Sequence, residues 1–383
     1  MDFKLNEEQE MIRKMASDFA AKEVAPIAAE MDEKGEMPFA NIKKMGELGF
    51  LGLVVSEEFG GCGLDNVSYV LAIEEISKAC ASTGCLMAVQ NSLVCGGIEK
   101  FGTEEQKRKY LPKLAQGDMI GCFALTEPSA GCDAAAQQTT AILEGDDYVI
   151  NGSKHFITNG GFADLVILFA MTDKSRGNRG ITAFLVEKGT RGFSTGKKEH
   201  KMGIRATDTS ELIFQDCRVP ITNRLGSEGQ GFKIAMTMLD GGRVGIAAQA
   251  VGIATAAYEE ALEYAKVREQ FGQPIAKFQA IQWMLADMAT RIDAARLLTY
   301  RAARAKDEAA VSGARYSKEA AMAKLYASET AVWVTNKAIQ IHGGYGYMKE
   351  YAVERHFRDA KITEIYEGTS EIQRLVIAAS ILR

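Results

Sequence analysis

The sequence has few of the residues that build metal centres or disulfide frameworks. Its 383 residues include four histidines and seven cysteines, and no two cysteines are separated by just two residues. An odd cysteine count in a long chain argues against a disulfide framework, and the histidine spacings fit no metal site. We therefore expect no metal, and we expect the cysteines to be small core residues in a reducing compartment.

Long apolar runs and a strong excess of one charge are also missing. No stretch approaches the roughly 20 apolar residues that span a bilayer, and Met1 to Lys4 do not resemble the start of a signal peptide. The formal net charge is −5, which gives no reason to expect nucleic acid as a partner. These absences predict a cytoplasmic protein without a membrane span.

The common nucleotide-binding and hydrolase motifs are absent as well. Gly229-Gln230-Gly231 and Gly344-Tyr345-Gly346 lack the third glycine of the Rossmann fingerprint. There is no P-loop, no G-x-S-x-G nucleophile elbow and no H-E-x-x-H helix. If the protein binds a nucleotide, it must use another kind of site.

Three regions differ in hydrophobic pattern and predict a mostly α protein with a central β-domain. Residues 1–118 are expected to form an N-terminal helical domain, residues 119–227 the β-domain, and residues 228–383 a C-terminal four-helix bundle. Helical spacing and a capping box that begins at Thr103 support the first helices. The bundle is predicted from an apolar seam with spacings of three and four, which contains Phe278, Ile281, Leu285, Met288, Ile292 and Ala295.

The central region has the features of an antiparallel sheet, barrel-like or a sandwich. Short β-rich runs alternate with turn signals, and no helices separate the strands as they would in a parallel sheet. Asn151-Gly152 lies between two apolar runs, a pattern that predicts a hairpin. Asn159-Gly160-Gly161 and Arg191-Gly192 predict further turns.

The segment Ile365 to Gln373 carries the most information about chemistry. Ser370-Glu371-Ile372-Gln373 has the form of a capping box and predicts a helix that begins near residue 371. Glu367 would then lie on a loop just before the helix, beside Gly368, where a ligand can approach closely. Free N–H groups at the helix start can bind an oxyanion, and Tyr366 can raise the pKa of Glu367. From these residues alone, a catalytic base and a solvated loop acid remain equally supported.

Two further segments allow a functional and a structural interpretation. Asp240-Gly241-Gly242-Arg243 places an acid and a base three residues apart, around glycines that are costly inside a helix. Close helix packing explains this pattern better than substrate contact on this evidence alone. The segment Phe123 to Asp133 is rich in turn formers and small polar groups at the start of the β-domain, and could be only a connection.

Taken together, these segments resemble the acyl-CoA dehydrogenase family. Residues 125–133 resemble its L-T-E-P-x-A-G-S-D signature, and Gln340 to Gly346 resemble Q-x-x-G-G-x-G-Y. Residues 365–373 resemble the I-Y-E-G-T-x-E-I-Q signature of the short-chain, butyryl-CoA type. The resemblance covers essentially the whole chain, including the helix–sheet–helix order.

The resemblance implies an FAD enzyme of fatty-acid β-oxidation that dehydrogenates a short acyl-CoA at the α,β carbons. Glu367 would remove the α-proton, and the flavin N5 would accept the β-hydride. Substrate contacts would come from Cys132, Asp240, Arg243 and Gly368. FAD contacts would come from Phe123, Leu125, Thr126, Cys132, Phe156, Ile157, Thr158, Thr369 and Glu371, with Arg268, Gln279, Gln340, Gly343 and Gly344 reaching the FAD of a neighbouring subunit. The family is usually a homotetramer, a dimer of dimers, that passes electrons to electron-transfer flavoprotein.

The sequence departs from the family pattern at three positions. Cys132 replaces the usual serine, and a thiol is the weaker hydrogen-bond donor. Phe156 stands where many members have tryptophan. Some branched- and long-chain members place their base just before the residue equivalent to Arg243, where this chain has Gly242, so Glu367 is expected to be the sole base.

Alternatives to a butyryl-CoA dehydrogenase remain at this stage. A small branched or alicyclic acyl group would also suit the pocket residues expected from the resemblance, Gln90, Asn91 and Val94, and the direction of the reaction is open. A flavin monooxygenase of the same fold would generally lack the base on the last loop. A non-catalytic, nucleic-acid-binding relative should be basic, whereas this chain is acidic.

Overall fold

The computed structural model describes residues 4–382, and its first region is helical as predicted. Asn6 caps the first helix through a capping box with Gln9, and Thr103 caps the last one through a box with Gln106. The helices are α1 (Glu7–Phe19), α2 (Ala28–Lys34), α3 (Phe39–Glu47), α4 (Asn66–Ala79), α5 (Ala81–Ala88), α6 (Gly96–Phe101) and α7 (Glu104–Ala115). A π-helical turn, Val89–Cys95, joins α5 to α6.

The central region is one eight-stranded sheet, mostly antiparallel. Its strands are β1 (Gly121–Ala124), β2 (Thr140–Glu144), β3 (Asp147–Thr158), β4 (Leu165–Met171), β5 (Ile181–Glu187), β6 (Phe193–Lys198), β7 (Thr209–Pro220) and β8 (Arg224–Leu225). The order across the sheet is β6-β7-β3-β2-β4-β5-β8. Strand β1 pairs with β4 in parallel, and β2 meets the end of β4 in parallel, so the expected antiparallel pattern does not hold around β4.

The hairpin predicted at Asn151-Gly152 is wrong, because β3 runs straight through this dipeptide. The pairing of β3 with β7 shifts register between Ile150 and Gly152, which marks a β-bulge. The Asn151 amide bonds both the backbone N–H and the carboxylate of Asp216 on β7. A side chain at Gly152 would overlap Thr139 on the other side. Glycine is needed here for close packing within the sheet, and not for a turn.

The C-terminal region is the predicted helical bundle. It comprises α8 (Gly231–Val267), α9 (Gln279–Ser312), α10 (Ser317–His342), α11 (Val353–Thr363) and α12 (Ser370–Ile381), with a small hairpin of β9 (Glu269–Gln270) and β10 (Gln273–Pro274) between α8 and α9. Leu285, Met288, Ile292 and Ala295 are buried, so the predicted seam packs inside the bundle. Buried residues of this bundle and of the N-terminal helices form one continuous core, while the outer layer of the sheet has a separate core.

The start of α12 differs from the sequence prediction. The cap of α12 is Thr369, whose side chain accepts from the Ile372 N–H, so the helix begins one residue earlier than the predicted box. Leu375 of α12 is 65% exposed.

The domain limits given above fall in the segments between α7 and β1 and between β8 and α8, and they stay predictions. Within residues 4–382, no helix is both long and apolar enough to cross a membrane. All seven cysteines are free thiols, and Cys132 is the exposed one.

Candidate active site

A cleft of about 190 Å³ lies where the sheet, α8 and the loop before α12 meet. It contains most of the site residues expected from the sequence: Phe123, Leu125, Thr126, Cys132, Phe156, Ile157, Thr158, Arg243, Glu367 and Gly368. Met236 and Leu239 of α8 and Ile372 of α12 complete its apolar surface. Residues from three separate regions of the chain therefore share one site.

A buried ion pair supports the sheet side of the cleft. Lys154 is fully buried on β3 and pairs with Glu127 at 2.8 Å. Its ammonium group also donates to the Leu125 carbonyl at 3.1 Å and to the Gln137 side chain at 3.0 Å. Burial lowers the pKa of Lys154 to about 8, against the opposing effect of Glu127. This lysine holds the segment after β1 against β3.

At the end of β3, beside the cleft, one residue has an unusual backbone conformation and nearby polar side chains are free. Phe156 has a φ of +59°, which is rare for a residue with a side chain, and it is 61% exposed. The ring of His155 contacts the ring of Phe156, with 4.3 Å between centroids. The backbone N–H of His155 donates to the Thr126 carbonyl at 2.8 Å. Within residues 4–382, the hydroxyls of Thr126 and Thr158 have no hydrogen-bond partner, so they are available to a ligand.

Glu367 is held on a strained loop at the opposite side of the cleft. Its φ is +54°, and that of Gly368 is +97°. A non-glycine residue in this region costs free energy and persists only when the surroundings enforce it. The Glu367 carbonyl accepts from Arg243 at 3.3 Å and from Gln373 at 3.2 Å. The Gly368 carbonyl accepts from Gln373 and from Lys324, both at 2.8 Å.

The Glu367 carboxylate is poised to accept a proton near neutral pH. Its Oε2 atom is buried and has no hydrogen-bond partner among the described residues. Burial raises the pKa of Glu367 to about 7, while the charges of Lys324 and Arg243 oppose that rise. A general base works best when its pKa lies near the operating pH. The structure therefore favours a catalytic base over a solvated loop acid.

The Asp240–Arg243 segment packs against this loop from α8. Arg243 and Asp240 form an ion pair at 2.6 Å, and Ser317 also bonds the Asp240 carboxylate. A side chain at Gly242 would overlap the Glu367 carboxylate. The close packing inferred from the two glycines is thus explained, at Gly242, by the base itself.

Other predicted site residues lie outside the cleft. Thr369 caps α12 and Glu371 is exposed in its first turn, while Asp240 pairs with Arg243 without lining the cleft. Arg268, Gly343 and Gly344 line a second, open groove with Tyr345, whose ring contacts the Arg268 guanidinium. Gln279 and Gln340 are exposed and belong to neither site.

The pocket residues expected from the resemblance are wrong, since none of Gln90, Asn91 and Val94 lines the cleft. The Gln90 amide is buried against the Leu114 and Met119 carbonyls, and Asn91 bonds the Phe50 and Met87 carbonyls. These bonds satisfy their polar groups inside the core, so neither lines the cleft. Val89, Leu93 and Tyr366 line it instead. Val89 and Leu93 differ from the expected Gln90 and Val94 by one residue, and on a helix one residue turns a side chain by about 100° around the axis.

The sequence reasoning also missed Lys324, Gln373 and Gln249. Gln249 bonds the Tyr366 hydroxyl and the Ala81 carbonyl, and so fixes the ring beside the base. The sequence could have identified Lys324 as a buried charge, because it has the same helical phase as Ala320, Ala327 and Ala331, which are all buried. Gln373 belongs to the predicted capping box, but its side chain bonds the Glu367 and Gly368 carbonyls instead, and no local pattern marks Gln249.

The cleft fits a flavin and a thioester in its chemistry. One side offers free threonine hydroxyls and an exposed aromatic ring, and the other offers a buried carboxylate with no partner. Backbone N–H groups of Glu367 and Gly368 also have no acceptor within residues 4–382. Such a site can take a proton from a carbon acid and stabilise the oxygen that gains charge.

The fold and this site define an acyl-CoA dehydrogenase, and the chain belongs to that family. Family models match it in order, with the acyl-CoA dehydrogenase N-terminal domain over residues 6–118, the middle domain over 122–217 and the C-terminal domain over 229–382. FAD is therefore its cofactor.

Similar proteins indicate which type of acyl-CoA dehydrogenase this chain resembles. The short-chain specific acyl-CoA dehydrogenase of Clostridium acetobutylicum is 56% identical over all of both chains. Butyryl-CoA dehydrogenase from Megasphaera elsdenii has a similar structure, with a TM-score of 0.97, 52% identity and full coverage of both chains. A chain in a structure concerning the electron transferring flavoprotein of Acidaminococcus fermentans gives a TM-score of 0.98 at 56% identity, again over all of both chains.

Proposed function

We propose that this protein is an FAD-dependent short-chain acyl-CoA dehydrogenase that converts a butyryl-CoA-type thioester to its α,β-unsaturated product. The observation that carries the proposal is the buried, unpartnered carboxylate of Glu367 facing a cleft with free hydroxyls. The similarity to short-chain specific and butyryl-CoA enzymes over the full chain supports the same reaction.

In this mechanism Glu367 takes the α-proton as general base. The α-hydrogen of a thioester is weakly acidic, so its removal needs stabilisation of charge on the thioester oxygen. The N–H groups of Glu367 and Gly368 are suited to that role, since they have no other acceptor in the described chain. Bound FAD supplies the acceptor for the β-hydrogen, which leaves as hydride.

The remaining site residues are assigned to binding. Phe123, Leu125, Thr126, Cys132, Phe156, Ile157 and Thr158 would hold the flavin, with the Thr126 and Thr158 hydroxyls as hydrogen-bond donors. Arg243 and Gly368 would contact the thioester, with Asp240 orienting Arg243 through their ion pair. Thr369 and Glu371, at the start of α12, would contact the cofactor beyond the cleft.

A short, straight acyl chain suits the cleft best. Its inner end is bounded by Val89, Leu93 and Tyr366, and the Tyr366 ring is fixed by its hydrogen bond to Gln249. The full-length similarity to short-chain specific and butyryl-CoA dehydrogenases supports the same substrate class. This is why we place butyryl-CoA ahead of branched or alicyclic substrates.

We further propose a homotetramer, a dimer of dimers, that transfers electrons to an electron-transfer flavoprotein. Large apolar side chains are uncovered on the C-terminal region, including Phe271 at 93%, Trp283 at 64% and Leu375 at 65% exposure. Their burial between copies would bring the groove of Arg268, Gly343 and Gly344, with Gln279 and Gln340, to a neighbour's FAD. Similarity to the chain from the flavoprotein study supports the electron acceptor.

A cytoplasmic location is proposed on chemical grounds. Seven free cysteines, of which Cys132 is exposed, suit a reducing compartment.

The decisive experiment is anaerobic flavin reduction. The yellow protein should bleach on addition of butyryl-CoA, and Glu367→Gln should keep the flavin yet lose at least a hundredfold in rate, since general base catalysis contributes about 10²–10⁴. Glu308→Gln, an exposed acid on α9, is the matched control and should behave like the unmodified protein. Equal bleaching by the Glu367 variant would remove that residue from its role.

A further inference from the structure

Lys324 is a buried lysine whose ammonium group contacts the loop that carries Glu367. Its side chain is fully buried on α10, among alanines. Its single hydrogen bond in the described chain goes to the Gly368 carbonyl, at 2.8 Å. Burying a lysine costs several kcal/mol unless its charge interacts favourably with a neighbour. We therefore expect the buried charge of Lys324 to interact with a nearby group of opposite charge.

No carboxylate forms a salt bridge with Lys324 within residues 4–382. Arg243, the other cation at this loop, differs because it pairs with Asp240 at 2.6 Å. Of the acidic groups that act on Lys324, Glu367 has the largest effect, ahead of Glu364 and Glu371. Lys324 is therefore the cation at this loop without a salt-bridge partner in the described chain, and burial lowers its pKa to about 8, so it is still protonated at neutral pH.

The same lysine helps to hold the base in its strained conformation. The positive φ of Glu367, a non-glycine residue, persists only because its surroundings enforce it. Three side chains from α8, α10 and α12 converge on the carbonyls of Glu367 and Gly368, and Lys324 is the one from α10. Its bond to Gly368 fixes the peptide unit that follows the base.

We propose that Lys324 is a positioning residue for Glu367, which anchors the Gly368 carbonyl and presents a positive charge that favours the ionised carboxylate. This inference rests on the proposed role of Glu367 as the α-proton base. It adds a second function for α10, beyond packing, in the dehydrogenation itself.

The direction of the effect follows from the groups around the base. Lys324 on α10 and Arg243 on α8 are the charged groups that act on the carboxylate, and both lower its pKa against the effect of burial. Tyr69 of α4 and Cys85 of α5 also face it, and burial raises the pKa of each, to about 12 for Cys85, so both are neutral. Tyr366 is neutral for the same reason. Without the Lys324 charge, the carboxylate would hold its proton to higher pH.

The test measures the rate of flavin reduction by butyryl-CoA from pH 6 to pH 9. Lys324→Gln removes the charge but can still donate a hydrogen bond to the Gly368 carbonyl. Lys324→Met removes the charge and the hydrogen bond, and Lys324→Arg keeps the charge and the hydrogen bond. Loss of a nearby opposite charge shifts a pKa by about one unit or more. The acidic limb of the Lys324→Gln profile should move up by about one unit, giving a rate about tenfold lower at pH 6.5.

The pH profile separates the two roles of the lysine. At pH 9 the Lys324→Gln rate should approach that of the unmodified protein, because Glu367 is then ionised in both. Lys324→Met should keep a deficit at every pH, and Lys324→Arg should restore the acidic limb. Flavin content and Tm report on folding, and Lys337→Met, a lysine on the same helix that lies over Trp333, should leave all these values unchanged.

An unshifted acidic limb in both Lys324→Gln and Lys324→Met would overturn the inference. So would an equal loss of rate at every pH in Lys324→Gln, which a purely structural role predicts. If the unmodified protein did not bleach with butyryl-CoA, the proposed function itself would fail, and that result is visible before any variant is made.

Discussion

Gly242 on α8 packs directly against the carboxylate of Glu367, and a side chain at position 242 would overlap Oε2. Glu367 lies on the loop before α12, 125 positions after Gly242 in the sequence. The room left by the missing Cβ lets the carboxylate sit between Arg243 and the cleft. A residue that looks like a helix defect in sequence is therefore part of how the base is placed.

Gly242→Ala should lower the rate of flavin reduction while leaving the protein folded. Alanine is favoured over glycine inside a helix by up to about 1 kcal/mol, so any loss of activity would come from displacement of the carboxylate. A misplacement of about 1 Å can cost about a hundredfold in rate. Stopped-flow reduction by butyryl-CoA, with Tm measured on the same samples, checks this expectation.

The neighbouring glycine provides the control. A Cβ at Gly241 would meet the end of the flexible Lys306 side chain at 3.4 Å, which is tolerable. Gly241→Ala should therefore keep its reduction rate. Comparable losses in the two variants would show that the helix, and not the carboxylate, responds to the change.

The raised pKa of Glu367 also predicts a pH dependence of stability. Its ordinary value of 4.5 applies to the unfolded chain, and in the folded protein burial raises the pKa to about 7. The protonated form is favoured by folding, so its stabilising contribution is complete below pH 4.5 and disappears as the pH rises through 7. Above pH 7 the ionised carboxylate is a net cost to the folded state.

Glu367→Gln should consequently raise Tm at pH 8.5 and have little effect near pH 4.5. The amide is neutral at both values and has nearly the same size as the carboxyl group. Calorimetry of the flavin-loaded protein and the variant across this range tests the sign. A variant that loses stability at pH 8.5 would mean that the carboxylate makes favourable contacts absent from this structure.

Much of the fold could be read from local sequence signals, because caps and apolar seams depend on neighbouring residues. Thr103 caps its helix through Gln106, and Leu285 and Met288 lie on the buried seam. Asn151-Gly152 misled because the same dipeptide suits a tight turn and a bulge. Here the dipeptide forms a bulge, because Asn151 accepts a hydrogen bond from Asp216 on the partner strand, which is remote in sequence.

The site was predicted where family signatures cover it and missed where long-range contacts build it. Glu367 and Thr126 belong to two of the signature segments and lie in one cleft, whereas Gly343 and Gly344 of the third segment line a separate groove. The hydrogen bonds from Lys324 and Gln373 to the Gly368 carbonyl come from two helices. Sequence spacing cannot reveal such convergence, although a lysine in a buried alanine stripe indicates that a partner must exist.

Lys154→Met should destabilise the protein and weaken flavin retention. The variant leaves Glu127 buried without its cation, and breaking a buried pair costs about 3–5 kcal/mol. It also releases the Leu125 carbonyl, so the segment proposed to hold the flavin loses its anchor on β3. Tm and the release of flavin during dialysis are the two measurements.

An exposed pair supplies the comparison for this change. Lys109 bonds Glu187 at 2.6 Å at the surface, where such pairs contribute about 0–1 kcal/mol. Lys109→Met should therefore change neither measurement appreciably. If Lys154→Met retained its flavin and its Tm, the buried pair would have no role in shaping the cleft.

Leu93→Ala should shift the substrate preference toward longer acyl chains. Leu93 bounds the inner end of the cleft with Val89 and Tyr366, and its truncation makes room for about two more carbons. A methylene accommodated in an apolar pocket changes kcat/KM by about 10–200-fold, so the ratio for hexanoyl-CoA over butyryl-CoA should rise at least tenfold. Leu111→Ala, at a fully buried leucine of α7 outside the cleft, should lose similar stability without changing the ratio. A constant ratio in Leu93→Ala would place the end of the acyl chain elsewhere in the cleft.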